Sequence, residues 1–167
     1  MSTPVQYDGF WHIPLSQELQ DTLRSADQSP ITSSQLKKLP YPGIDLRESP
    51  WNNEKLDAAR KVIVELTSYI KNWPEKENFP KNWEGKDLTL FEGALCTEED
   101  QRDIYIPRQL QPDDAQVIIH NKQTGSTRPL TWDESYVYML EAGVRVIVVK
   151  GPIRFFLLAV KCKQQGK

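Results

Sequence analysis

The stretch Val144-Arg145-Val146-Ile147-Val148-Val149-Lys150-Gly151-Pro152-Ile153-Arg154-Phe155-Phe156-Leu157-Leu158-Ala159-Val160 decides how the fold is read. Its two runs, 144–149 and 153–160, are rich in β-branched and aromatic residues, which fit a pleated sheet, and Lys150-Gly151-Pro152 between them has turn chemistry. The pattern predicts a hairpin. Both runs are apolar on two faces for part of their length. That predicts either strands in the middle of a sheet covered on each side, or an exposed face that binds something.

Moving toward the N-terminus, Thr131-Trp132-Asp133-Glu134 has the spacing of a capping box, in which a hydroxyl and a carboxylate satisfy each other's free amides at a helix start. Trp132, Tyr136, Met139 and Leu140 would then share a face, with Gly143 as the left-handed cap. A short helix is expected there. Ahead of the turn Asn121 to Ser126, the runs Leu88 to Phe91, Ile104 to Ile106 and Ala115 to His120 are strand candidates. Further back, Ser49-Pro50 opens an amphipathic pattern with Leu56, Ala59, Ile63, Leu66, Ile70 and Trp73 on one stripe. It predicts a helix from about 51 to 73, ended by Pro74. The elements do not alternate as in a doubly wound fold. The expected class is α+β: a mostly antiparallel sheet of about five strands covered by one long and one short helix, with an irregular N-terminal arm.

That arm, residues 1–50, precedes the α+β domain expected over 51–164. Eight of the 12 prolines fall in the first 80 residues, and proline both removes a backbone donor and biases its predecessor toward extended geometry. A short helix over Leu15 to Ala26 is the one regular element expected in it, because Leu15, Leu19 and Leu23 recur at spacings of four.

At 167 residues, with 38% hydrophobic and 26% charged residues, the chain suits one globular domain. A net charge of -2 gives no global attraction to nucleic acid or anionic lipid. No apolar run approaches the roughly 20 residues of a membrane-spanning helix, and no leader is readable, so the expected location is cytoplasmic. The chemistry-bearing motifs are few. No phosphate-cradling glycine motif occurs, so nucleotide hydrolysis by a P-loop is not expected, and no cofactor is expected. The two histidines, His12 and His120, stand in no metal-binding spacing, and no metal or catalytic residue is assigned. Cys96 and Cys162 are too few and too far apart for a disulfide framework.

The leading expectation is therefore a non-enzymatic protein-interaction or assembly module whose N-terminal arm docks on a partner or a neighbouring subunit. Bulky anchors in a region poor in periodic structure suggest binding, since aromatic residues concentrate energy at interfaces. The candidate partner-binding residues are Tyr7, Phe10, Trp11, Tyr41, Pro42, Ile44, Trp73, Phe79 and Trp83. An alternative is single-stranded nucleic-acid binding through Trp73 to Lys86, where aromatics alternate with lysines as a stacking platform requires. The acids Glu75, Glu77 and Glu84 cancel those lysines. A third reading is a small hydrolase or transferase using Cys96 or His120, if the fold brought thiol and base together. Tyr41-Pro42-Gly43-Ile44-Asp45-Leu46 also resembles the short tyrosine-proline-leucine docking peptides with which some viral structural proteins recruit budding machinery. The competing expectation is a turn that plugs Tyr41 and Ile44 into the domain's own surface.

Overall fold

A computed structural model describes residues 3–27, 33–69, 83–109 and 114–161. In chain order the elements are β1 (Val5–Tyr7), β2 (Phe10–Pro14), α1 (Gln17–Ala26), β3 (Lys37–Lys38), β4 (Asp45–Ser49), α2 (Asn53–Tyr69), β5 (Trp83–Cys96) and β6 (Gln101–Arg108). They continue with β7 (Gln116–Asn121), β8 (Thr127–Leu130), β9 (Tyr136–Leu140), β10 (Val144–Lys150) and β11 (Ile153–Lys161).

The 14-residue strand β5 organises the molecule. Its first half, from Trp83 to Leu90, pairs antiparallel with β11, and its last residues, Gly93 to Cys96, pair antiparallel with β10. One strand thus belongs to two sheets. The larger runs β1-β2-β9-β6-β11-β5-β4-β3 and the smaller runs β5-β10-β7-β8, curled face to face as a double-sheet jelly roll. The bend falls at Gly93, whose φ of +111° suits only glycine, and a Cβ there would meet the Gly43 carbonyl oxygen at 3.3 Å.

Alternation along each strand divides the apolar residues into two cores. On β11, Ile153 and Phe155 point between the sheets, where they join Leu88, Leu90, Tyr105, Val117, Ile119 and Val146. Phe156, Leu158 and Val160 point to the convex side, against Leu19 and Leu23 of α1 and Ala58, Ala59, Val62, Ile63 and Leu66 of α2. Ser16 caps α1, its hydroxyl accepting from the Leu19 amide at 3.3 Å. Asn52 caps α2, accepting from the Lys55 amide at 2.9 Å, so the start expected at Ser49-Pro50 lies a few residues later.

The convex side also carries an unbroken series of charges. Lys55 pairs with Asp87 at 2.6 Å, Asp87 with Arg154 at 2.6 Å, and Arg154 with Asp27 at 2.6 Å. Asp27 then meets Arg108 at 3.3 Å, Arg108 meets Glu134 at 3.7 Å, and Glu134 meets Arg24 at 2.8 Å. The series ties both helices to the sheet.

Several expectations need correction. The sheet has eleven strands among the described residues, not about five, and the class is a jelly roll, not α+β. The short strands β3, β4 and β8 carry lysines, charges or proline, which hide them from an apolar pattern. The expected hairpin is absent, because β10 and β11 pair with different halves of β5 and not with each other. Their two-sided apolarity follows instead from burial between neighbours on both faces. The helix expected from Thr131 is the strand β9: Val137 and Met139 face the helices while Tyr138 and Leu140 face the interior, a pattern that suits two-sided burial in a strand. The arm is not irregular. β1 and β2 extend the larger sheet, and Leu15, Leu19 and Leu23 are buried under α2. No helix among the described residues is long and apolar enough to cross a membrane.

Candidate functional site

Cross-strand partners in a sheet share a face, so the register places the concave side chains in rows. One row runs Glu84, Ala159, Asp103, Leu140, Phe10 across β5, β11, β6, β9 and β2. The next runs Lys86, Leu157, Tyr105, Tyr138, His12 across the same strands. The smaller sheet leaves part of these rows uncovered. A cavity of about 730 Å³ opens there, floored by β5, β6 and β11 and walled by Leu39, Tyr41, Ile44 and the Ala94 to Cys96 end of β5.

Asp103 is the buried acid of this cavity, 3% exposed. Gln101 Nε2 donates to its Oδ1 at 2.7 Å and Thr97 Oγ1 to its Oδ2 at 3.0 Å. Burial pushes the carboxyl up to about 6, against the pull of those two donors and of Lys161, while nearby Glu98 adds to the rise. Two residues on along the same face, Tyr105 is fully buried and its hydroxyl has no hydrogen-bond partner among the described residues. Burial raises that phenol well above its usual range, so it remains a donor. Lys86 is half-buried and is paired with no described residue, whereas Lys161 meets Glu98 and Asp100, each at 3.6 Å. A second cleft, about 740 Å³, lies around Trp132 and Arg154, but the Arg154, Arg108 and Arg24 guanidinium groups that line it are already matched by carboxylates.

The structure scatters the residues singled out from sequence. Phe10 is buried between the sheets, and Tyr7 stacks on it at 5.0 Å with Arg128 on the Tyr7 ring at 4.2 Å. Trp11 packs on the helix-side core. Tyr41, 51% exposed, and the half-buried Ile44 and Trp83 border the cavity, and Pro42 is exposed beside them. Trp73 and Phe79, with most of the aromatic and lysine loop, lie outside the described residues; Trp83 and Lys86 of that loop are in β5. Cys96 and His120 are each the cross-strand partner of Arg145, which separates them by two strand spacings, about 9.5 Å, too far for thiol and imidazole to meet. Sequence reasoning missed Asp103 and Tyr105 and assigned Lys86 to a nucleic-acid loop. The alternation Asp103-Ile104-Tyr105-Ile106 contained a signal, an acid in phase with a tyrosine on one face of a strand.

No protein-family model and no curated protein matches the sequence. Solved structures do resemble it. A prolyl-4-hydroxylase from Pseudomonas putida aligns with a TM-score of 0.63 at 9% identity, covering 93% of each chain. AviO1 from Streptomyces viridochromogenes gives 0.56 at 8% identity, over 96% of this chain and 92% of that one. A dioxygenase for auxin oxidation from rice gives 0.54 at 9% identity, over 94% and 74%. The fold is therefore one that oxygenases use, and the expected assembly module with a docking arm is corrected: the arm is part of that fold's sheet and core.

Non-haem iron oxygenases hold their metal with two histidines and one carboxylate on adjoining positions. This chain does not fit that set. His12 is on the larger sheet, stacked at 4.1 Å on Tyr136, and His120 is on the smaller sheet, alternating with inward Ile119 and so facing away from the interior. Among the described residues no three His, Cys, Asp or Glu side chains form a metal-holding group.

Proposed function

We propose that the chain holds a small carbonyl compound in the concave cavity and catalyses proton transfer on it, using Asp103 as base and acid and Tyr105 as donor to the ligand oxygen. The observation that carries this reading is the buried, unpartnered Tyr105 hydroxyl beside a buried carboxyl that titrates near 6. Leaving a buried hydroxyl unsatisfied costs about 1–3 kcal/mol, and a ligand oxygen that accepts from it removes the cost. A carboxyl divided between its two forms near neutral pH can take a proton and return it.

The step balances without a co-reactant. A C–H bond beside the carbonyl breaks, its proton goes to the Asp103 carboxylate, and the electron pair moves onto the carbonyl oxygen, where Tyr105 donates. Returning the proton to the enolate oxygen gives the enol and completes a keto–enol isomerisation, while returning a solvent-exchanged proton to the α-carbon completes exchange. Mouths of barrels are common ligand sites, and the apolar wall excludes water from the charge that develops.

Phenylacetone in D2O tests the reading. The wild-type protein should speed exchange of its α-protons above the buffer rate, followed by proton NMR, and Asp103→Asn should return exchange to that rate with its circular dichroism unchanged. Equal rates for the two proteins would contradict the proposal.

A further inference from the structure

We infer that the cavity's ligand is a carboxylic acid, its carboxylate bound by Lys86 and its carbonyl or enol oxygen lying two strands away at Asp103 and Tyr105. The inference rests on the cavity being the ligand site and adds the ligand's second functional group.

Of the two cations that line the cavity, Lys86 and Lys161, Lys86 stands out, and it also differs from the ion-paired cations of the convex side. Lys55, Arg108 and Arg154 are each paired with a carboxylate on the convex side, and Lys161 at the cavity's edge is shared by Glu98 and Asp100. Lys86 has no such partner among the described residues, although it faces the same cavity as Asp103 and Tyr105. A cation withdrawn partly from water gains from an anion that reaches it, and a charged hydrogen bond is the stronger for low surrounding polarity.

The register fixes the spacing. Lys86 and Tyr105 are the two partners of Leu157, so their backbones are two strand steps, about 9.5 Å, apart. Between them the floor is apolar, formed by Leu157 and by Ala159 in the neighbouring row, and Ala159 is small enough to leave room above it. A complementary molecule is polar at both ends and apolar in the middle. An aromatic or alicyclic ring carrying an oxygen at one end and a carboxylate at the other has that form.

Glu84 bears on the sign. It lies two residues from Lys86 on the same face but is exposed, so water screens its carboxylate, and its removal should strengthen the binding of an anion.

The test compares p-cresol, which mimics the enol end alone, with 4-hydroxyphenylacetate, which adds the carboxylate, at low salt. Binding is read from the methyl NMR signals of Leu88, Leu157 and Ala159. The acid should bind about tenfold more tightly than the cresol, the size of one hydrogen bond to a charged group. Lys86→Gln should erase that difference while leaving p-cresol unchanged, and Glu84→Gln should widen it. Equal affinities, weaker binding of the acid, or an advantage that survives Lys86→Gln would overturn the inference while the cavity reading stands. If neither compound moves the cavity methyls at millimolar concentration, the cavity reading falls and the inference with it.

Discussion

The convex and concave sides of the larger sheet treat ionisable groups withdrawn from water in opposite ways. On the convex side the charges from Lys55 through Asp87, Arg154, Asp27 and Arg108 to Glu134 meet one another in series, each ion within 4 Å of its neighbour. On the concave side the Tyr105 hydroxyl has no partner among the described residues, the Lys86 ammonium none, and the Asp103 carboxyl is held by two neutral donors. The same sheet supplies both. Matched charges hold helices to strands; unmatched groups facing a cavity cost stability that the proposed ligand would restore.

The largest expected effect breaks the matched side. Asp87→Ala leaves Lys55 with a buried, uncompensated charge and Arg154 with Asp27 as its one remaining carboxylate, and urea unfolding should show a loss of about 3–5 kcal/mol. A loss below 1 kcal/mol would mean that water replaces the carboxylate.

The unmatched side should behave in reverse. The folded Asp103 carboxyl titrates at about 6, above its unfolded value near 4, so the folded state binds the proton more tightly between those limits. Its contribution to stability is full below about pH 4 and is lost as pH rises through 6. Asp103→Asn removes that slope, and at pH 8 it should stabilise the protein by about 1–2 kcal/mol relative to wild type, with no gain at pH 4. Denaturant melts at the two pH values check the sign. Tyr105→Phe is smaller still: with no hydrogen bond to lose, it should change stability by less than about 1 kcal/mol, in the stabilising direction. Arg24→Ala, at the exposed end of the ion-pair series, should stay within about 0.5 kcal/mol.

Local patterns in the sequence revealed some of this and concealed the rest. The Leu15, Leu19 and Leu23 spacing and the stripe through Ala59, Ile63 and Leu66 were legible because a helix writes its buried face into its own period. The strands at Leu88 to Phe91, Ile104 to Ile106 and Ala115 to His120 were legible from short apolar runs. What failed was pairing. Whether Val144 to Val149 lies beside Ile153 to Val160 depends on the bend at Gly93, fifty residues earlier, and no local pattern reports it. The capping-box spacing at Thr131 was real as chemistry but local, and burial of Tyr136 to Leu140 on both faces overrode it. The site was hidden for the same reason. Asp103 and Lys86 are ordinary charges in the sequence and acquire meaning only when β11 sets them in adjacent rows with Leu157 and Ala159 between.

The unmatched phenol is the proposed ligand contact, and p-cresol binding read on the Ala159 methyl signal in wild type and in Tyr105→Phe decides whether it is one. Binding at pH 7 should be saturable and should weaken about tenfold when the hydroxyl is removed, in a variant at least as stable as the parent. Equal affinity in the two proteins, or no movement of the Ala159 signal in either, would contradict it.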